Sequence, residues 1–168
     1  RPLAAALRRM PALRALELHD VSLSDEAAEA LFGASSAKAV PQLCTLTLVG
    51  AHLAPAAARL LAATGWRLEE LDLLNNRGLG AAGIEALLAA PTFAIRRLNL
   101  GVCKLDSAAL LSIANAPWPL EELSLYFNDF SGAAAGPALA ALSRRASLRL
   151  LHLDHCSLSA AGFKALVE

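Results

Sequence analysis

The sequence predicts an α/β solenoid, a single coiled domain over residues 1–168 in which short parallel strands alternate with helices. Three observations predict this fold. An apolar triplet at relative positions 1, 4 and 6 recurs along the chain, an Asn or Cys follows it three positions later in most copies, and a helix-length apolar segment comes next. Stacking repeats of this kind buries one continuous core.

The first twelve residues precede the first triplet. We interpret residues 1–12 as the helix of a preceding partial repeat that ends at Pro11, because this segment leads into Leu13 as Pro41 leads into Leu43. A basic, amphipathic transit peptide is the alternative. Since neither end of the sequence shows an obvious polar cap, we expect a fragment of a longer array or of a multidomain protein.

Six strands are predicted, in repeats that start near residues 13, 43, 68, 95, 120 and 148. Side chains alternate between the two faces of a strand, so positions 4 and 6 point into the core together. Six matches in register at nearly constant spacing make this assignment specific. The triplets are Leu13/Leu16/Leu18, Leu43/Leu46/Leu48, Leu68/Leu71/Leu73, Ile95/Leu98/Leu100, Leu120/Leu123/Leu125 and Leu148/Leu151/Leu153.

Position 9 of each repeat turns the chain. Its side chain is expected to bond to, or fit against, backbone groups of neighbouring turns that would otherwise be buried without partners. Val21 and Ala51 cannot make such bonds, so the first two turns are expected to be less regular there. The residues assigned this structural role are Asn76, Cys103, Asn128 and Cys156.

A helix is predicted after each strand. Its N-cap falls just after the residue that closes the repeat, and four of the six residues there are good caps, namely Ser24, Asp106, Ser131 and Ser159. Residues 33–42 are small and polar, and they are predicted to form a loop that lengthens the first repeat.

Large aromatic residues occupy one column ahead of three strands. Trp66, Phe93 and Trp118 each lie two residues before a strand-forming block. We interpret the column as packing between a helix end and a strand start, because it repeats. Exposed recognition aromatics are the alternative.

Two helix beginnings resemble a known family. Leu79-Gly-Ala-Ala-Gly83-Ile-Glu-Ala-Leu87 and Leu158-Ser-Ala-Ala-Gly162-Phe-Lys-Ala-Leu166 resemble the L-G-x-x-G-x-x-x-L segment of ribonuclease-inhibitor-like leucine-rich repeats. That class includes the ligand-sensing arrays of NOD-like receptors and the Ran GTPase-activating protein. The resemblance covers nearly the whole chain and implies a right-handed horseshoe arc, with a parallel sheet on the concave face and helices on the convex face. Two of six repeats depart from the family's Asn or Cys at position 9.

Composition argues against several classes of function. Fifteen basic and fifteen acidic residues give no net charge, whereas a nucleic-acid binder usually shows a basic excess. No uninterrupted apolar run reaches the roughly 20 residues that a membrane span needs. Cys44, Cys103 and Cys156 are far apart and predict free thiols, which favours a reducing, intracellular compartment. We expect a monomer.

The candidate binding surface follows from the resemblance, which implies that positions 3, 5, 7 and 8 of each repeat line the concave face. An apolar band crosses the middle strands there, formed by Val49, Leu74, Val102, Tyr126 and Phe127. Aromatic anchors with a polar surround are typical of protein interfaces, so Tyr126 and Phe127 are the predicted anchors. The other predicted partner-binding residues are Glu70, Asp72, Arg97, Asn99, Ser124 and His152, and further acidic residues near the band are Glu17, Asp20, Glu122 and Asp154.

The sequence thus predicts a non-catalytic scaffold that binds a protein or peptide, as a part of a larger sensor, adaptor or effector protein. No nucleophile, phosphate-loop or dinucleotide motif is present, and no cofactor is expected. His152, Asp154 and His155 suggest a zinc site, but we interpret them as solvated polar residues on the last strand. A GTPase-regulatory module and a structural spacer are the alternatives.

Overall fold

The computed structural model describes residues 2–7 and 9–167 of the chain. Its strands form one open parallel sheet in chain order, β1-β2-β3-β4-β5-β6. Each strand begins two residues after the predicted start of its repeat. The predicted α/β solenoid, with its parallel sheet on the concave face and its helices on the convex face, is confirmed. The strands are β1 Ala15–His19, β2 Thr45–Val49, β3 Glu70–Asp72, β4 Arg97–Asn99, β5 Glu122–Ser124 and β6 Leu150–His152.

Helices follow every strand, as predicted. The helix predicted before Leu13 is present as α1, but it ends at Leu7 and not at Pro11, and the flanking residues Arg1 and Arg8 lie outside the described residues. In the described part of the chain, no helix is both long and apolar enough to cross a membrane. The helices are α1 Pro2–Leu7, α2 Asp25–Phe32, α3 Ala34–Ala37, α4 Pro55–Ala62, α5 Gly80–Leu88, α6 Ser107–Ala114, α7 Ala135–Ser143 and α8 Ala160–Val167.

Equivalent positions of successive repeats pair across the sheet. Leu46 of β2 pairs with Leu71 of β3, which pairs with Leu98 of β4, and the same register continues to both edges. Each repeat position therefore forms a column across the sheet. Columns 4 and 6 are buried in the middle of the solenoid, while columns 3 and 5 face the open side.

The first two repeats differ from the others in the length of their strands. Strands β1 and β2 have five residues, whereas β3 to β6 have three. In the later repeats the position-9 side chain donates to the carbonyl of its own position 7 at 3.4 to 3.5 Å. Val21 and Ala51 have no side-chain donor, and the strands of their repeats are the longer ones. The expectation of less regular turns at these two positions stays a prediction, because strand length does not test it.

The predicted loop at residues 33–42 is also wrong in part, because it contains the short helix α3. The side chains of Ala37 and Val40 are buried in the core, which holds the segment against the solenoid. The Ser36 hydroxyl donates to the Ala30 carbonyl at 2.6 Å, and the Trp66 indole Nε1 donates to the Ala37 carbonyl at 3.1 Å. Small residues here pack as a helix rather than project as a loop.

Three of the four predicted N-caps form cap bonds. Ser24 and Asp106 accept from backbone N–H groups three residues ahead, at 3.3 and 2.9 Å. Ser159 does the same with Gly162 at 3.2 Å. Ser131 is wrong as a cap, because Asp129 Oδ1 accepts from the Ser131 backbone N–H in a local turn and α7 begins only at Ala135.

The aromatic column lies in the core between helix ends and strand starts. Trp66, Phe93 and Trp118 are all buried, so the packing interpretation is confirmed and the recognition alternative is wrong. The strand leucines are buried in the middle repeats and half-buried at the ends. Leu98 of β4 is 3% exposed, whereas Leu16 of β1 and Leu151 of β6 are half-buried.

Candidate functional site

A trough lined mainly by polar side chains runs across the open face of the sheet. It encloses about 270 Å³ and lies over columns 3 and 5. We call it the polar trough. Its polar lining residues are Glu17, Thr45, Thr47, Glu70, Asp72, Arg97, Asn99, Glu122 and Ser124.

Most of the predicted binding residues in the polar trough bond to one another. Arg97 forms an ion pair with Glu70, and this carboxylate raises the pKa of the Arg97 guanidinium. Asp72 accepts from the Asn99 amide at 3.1 Å and from the backbone N–H of Leu74 at 2.9 Å. The trough is therefore a largely satisfied network rather than a set of groups that lack partners.

One bond extends the network to the last strand. Ser124 Oγ lies 3.1 Å from His152 Nδ1. All six polar residues predicted to bind a partner thus lie on the open face of β3 to β6, and each has a bonding partner within the chain.

The predicted apolar band is split between two columns. Column 7 contains Val49, Leu74 and Tyr126, all half-buried, and column 8 contains Val102 and Phe127. The Tyr126 ring lies over Gly101, where an added Cβ would come within 2.7 Å of Cζ. Tyr126 therefore also has a packing role, because its ring covers the backbone just after β4.

Phe127 is different, because its ring projects into solvent. The side chain is 57% exposed. Its ring stacks on the His155 ring with centroids 4.4 Å apart, and it meets Tyr126 edge to face at 6.1 Å. The two ring contacts restrict the motion of this exposed aromatic side chain, a residue type that is enriched at protein interfaces.

Column 8 has an unusual backbone conformation. All six of its residues have positive φ angles between 52° and 60°, the left-handed region that Gly, Asn and Asp occupy at least cost. Three of the six are of those types. Val102 and Phe127 are not, and a β-branched or bulky side chain is strained there. The column is Asp20, Gly50, Asn75, Val102, Phe127 and His155.

A second depression lies beyond the ends of β4 and β5. It has a volume of about 400 Å³ and is lined by Arg77, Val102, Lys104 and Phe127. We call it the rim depression. Arg77 and Lys104 were missed by sequence reasoning, because both occupy position 10, one residue past the turn. The sequence feature that could have identified them is the presence of two basic residues at the same position of adjacent repeats.

The position-9 side chains join neighbouring turns. Each donates to the position-6 carbonyl of the preceding repeat, Asn76 to Leu48 at 2.7 Å and Asn128 to Leu100 at 2.9 Å. The thiols of Cys103 and Cys156 do so at 3.1 Å, to Leu73 and Leu125. These side chains satisfy carbonyls at the strand ends of neighbouring turns.

Two cysteines and two histidines that could take part in catalysis or metal binding have other contacts within the chain. Burial raises the pKa of the Cys103 thiol to about 11 and raises that of Cys156 as well, which disfavours the nucleophilic thiolate. His152 contacts Ser124 and His155 stacks on Phe127. Within residues 2–7 and 9–167, no three or more His, Cys, Asp or Glu side chains are grouped so as to hold a metal ion.

Comparisons with known proteins identify the type of repeat. No family model matches the chain. It is 38% identical over 131 residues to the human protein "NACHT, LRR and PYD domains-containing protein 12", and 38% identical over 132 residues to the mouse protein of the same name. These alignments cover 72% and 71% of this chain but only 12% of each relative. The similarity and the fold together show that the repeats are of the leucine-rich type.

Proposed function

We propose that this chain is a non-catalytic interaction module that binds a protein or peptide partner on the concave side, with Phe127 as the main anchor. Residues 1–168 form one domain of about six repeats in this proposal. The fold offers a broad open sheet face and exposed apolar side chains at its rim, and protein interfaces are built around such anchors.

The exposed ring of Phe127 is the observation that carries the proposal. It contributes little to the core, since more than half of its surface is open to solvent. It occupies a left-handed backbone position that Asn75 fills at lower cost after β3, two repeats earlier. A costly, exposed aromatic is better explained by a contact with another molecule than by folding.

The comparisons support the wider context of the proposal. The relatives are named for NACHT, LRR and PYD domains, and the chain spans 12% of their length. We infer a leucine-rich-repeat segment of a larger sensor-type protein. Helices of eight or nine residues after β2 to β5 support the ribonuclease-inhibitor-like class of long repeats.

A crosslinking pull-down from source lysate tests the proposal. The wild-type chain is compared with the Tyr126→Ser/Phe127→Ser variant, and Phe163→Ser is the control. Phe163 is equally exposed at 57%, but it lies on α8 on the helical side. We expect a partner that the wild type and Phe163→Ser capture and that the double variant loses.

Three other outcomes would contradict the proposal. Equal capture by all three proteins would shift the binding surface away from the Tyr126–Phe127 edge, and loss only in Phe163→Ser would assign it to the helices. Absence of any captured partner would favour a structural spacer. Circular dichroism of each variant verifies that the fold is intact.

A further inference from the structure

The rim depression combines apolar and cationic groups in a way that the polar trough does not. Phe127 and Val102 provide its apolar surface, and Arg77 and Lys104 flank it with positive charge. Both cations are exposed. The groups come from three adjacent repeats, so a ligand bound here would contact the exits of β3, β4 and β5 together.

The charges of the rim depression lack partners, unlike those of the polar trough. Across residues 2–7 and 9–167, no ion pair or side-chain hydrogen bond involves Arg77 or Lys104. Arg97, the cation of the trough, is already paired with Glu70. A partner's carboxylates can therefore pair with the rim cations without breaking an existing contact, which favours anions at this edge.

The backbone conformation points to the same surface. Val102, Lys104 and Phe127 all have left-handed φ angles, of 59°, 53° and 55°. Burial does not explain why these three residues occupy such positions, because Lys104 and Phe127 are exposed and Val102 is half-buried. Three of the four lining residues thus occupy backbone positions that favour Gly or Asn, while their side chains form a surface open to solvent.

We propose that the rim depression binds an extended peptide segment in which a large apolar side chain is flanked by Asp or Glu. This inference rests on the proposed function and specifies the chemistry of its partner. The apolar side chain would pack on Phe127 and Val102, and the flanking carboxylates would pair with Arg77 and Lys104, the arginine in bidentate fashion.

Nearby negative charge distinguishes a peptide from other anionic, apolar ligands. Three carboxylates of the polar trough lie on two of the three strands that lead into the rim depression, Glu70 and Asp72 on β3 and Glu122 on β5. They would repel a nucleic-acid strand or an anionic membrane, both of which spread negative charge over a wide area. A peptide with a few carboxylates fits the cations without approaching the trough.

Selection from a display library of short random peptides tests the inference. The immobilised proteins are the wild type, Arg77→Glu/Lys104→Glu, and Lys38→Glu/Arg59→Glu as a control with the same change in net charge. Lys38 and Arg59 are exposed cations at the ends of α3 and α4. We expect the wild type and the control to enrich peptides with a large apolar residue beside Asp or Glu. The rim variant should bind those peptides at least about tenfold more weakly, since it replaces two attractions with two repulsions.

The Tyr126→Ser/Phe127→Ser variant separates this inference from the proposed function. Two results would overturn the inference and leave the proposed function standing. In the first, the enriched peptides do not bind this variant but lack the acidic pattern. In the second, they do not bind this variant but bind the rim variant as well as the wild type. No enrichment by the wild type over the Tyr126→Ser/Phe127→Ser variant would overturn both. The inference would also be overturned if no peptides were enriched and the wild type bound oligothymidylate or phosphatidylserine vesicles, with this binding abolished in the Arg77→Glu/Lys104→Glu variant.

Discussion

At the scale of single residues, column 8 shows where side-chain type and backbone conformation disagree. The backbone at this position is left-handed in all six repeats, whatever the side chain. Asn75 suits that conformation, whereas Phe127 in the same column does not. Asn75 therefore suits the turn itself, whereas Phe127 fits this position only through the binding role that we propose for its exposed ring.

Phe127→Asn is expected to leave the free energy of unfolding within about 1 kcal/mol of the wild type. The substitution loses the stack on His155, worth about 1 kcal/mol, and relieves left-handed strain of similar size. Urea denaturation followed by circular dichroism measures the change. The buried Phe130 provides the comparison, since Phe130→Ala should cost about 3–5 kcal/mol.

The same variant should lose the captured partner. A loss of stability from Phe127→Asn as large as that from Phe130→Ala would assign Phe127 to the folding core. The argument that its ring is kept for binding would then fail.

At the scale of elements, single long side chains join neighbouring repeats where helices end. The guanidinium of Arg145, in the turn after α7, donates four hydrogen bonds to the carbonyls of Ala114, Ala116 and Trp118 around the end of α6. Ala114 is the last residue of α6, where carbonyls have no partner within the helix, whereas Ala116 and Trp118 lie in the loop that follows. Partial burial lowers the pKa of Arg145, because removing the guanidinium from water disfavours its charged form.

Arg145→Lys is expected to lower the free energy of unfolding by about 1–2 kcal/mol. A lysine keeps the charge but has one ammonium group, which cannot reach three carbonyls at once in the fork geometry of arginine. Arg144→Lys is the matched control, because Arg144 is adjacent and exposed. Chemical denaturation of both variants measures the difference. Equal losses of stability in the two variants would mean that the four hydrogen bonds of Arg145 contribute nothing beyond its positive charge.

Some elements could be predicted from the sequence and others could not. The strands could be placed because a leucine spacing of 1-4-6 directly reflects the alternation of a buried strand. The N-cap at Ser131 could not, because Asp129 competes for the same turn and the sequence does not say which polar side chain prevails. The helix α3 was missed because Ala and Ser fit loops and buried helices equally well, and only the burial of Ala37 and Val40 decides.

The candidate site was predictable in its location but not in its bonding. Strand alternation placed Glu70, Asp72 and Arg97 on the open face. Glu70 and Arg97 share position 3 of adjacent repeats, but the repeat assignment alone does not say that their side chains bond to each other. The left-handed backbone at Val102 and Phe127 was also hidden, since neither residue type signals it.

At the scale of the whole molecule, the solenoid has no single centre, because each repeat packs only on its neighbours. A middle repeat is covered by a neighbouring repeat on each side, whereas the first and last described strands are covered by a neighbouring strand on one side only. The strand leucines follow this rule, since Leu98 is buried while Leu16 and Leu151 at the same repeat position are half-buried. Stability should therefore depend on where along the array a residue lies.

Leu98→Ala and Leu151→Ala test this directly, because the two leucines share a repeat position and differ only in cover. Leu98→Ala removes a fully packed side chain and should cost about 3–4 kcal/mol, and Leu151→Ala should cost about half as much because part of its surface is already in water. Urea denaturation of the two variants gives both values. Equal costs would mean that the open side of Leu151 is covered in solution, and the exposed edge of β6 would then be a contact surface rather than the end of the packed core.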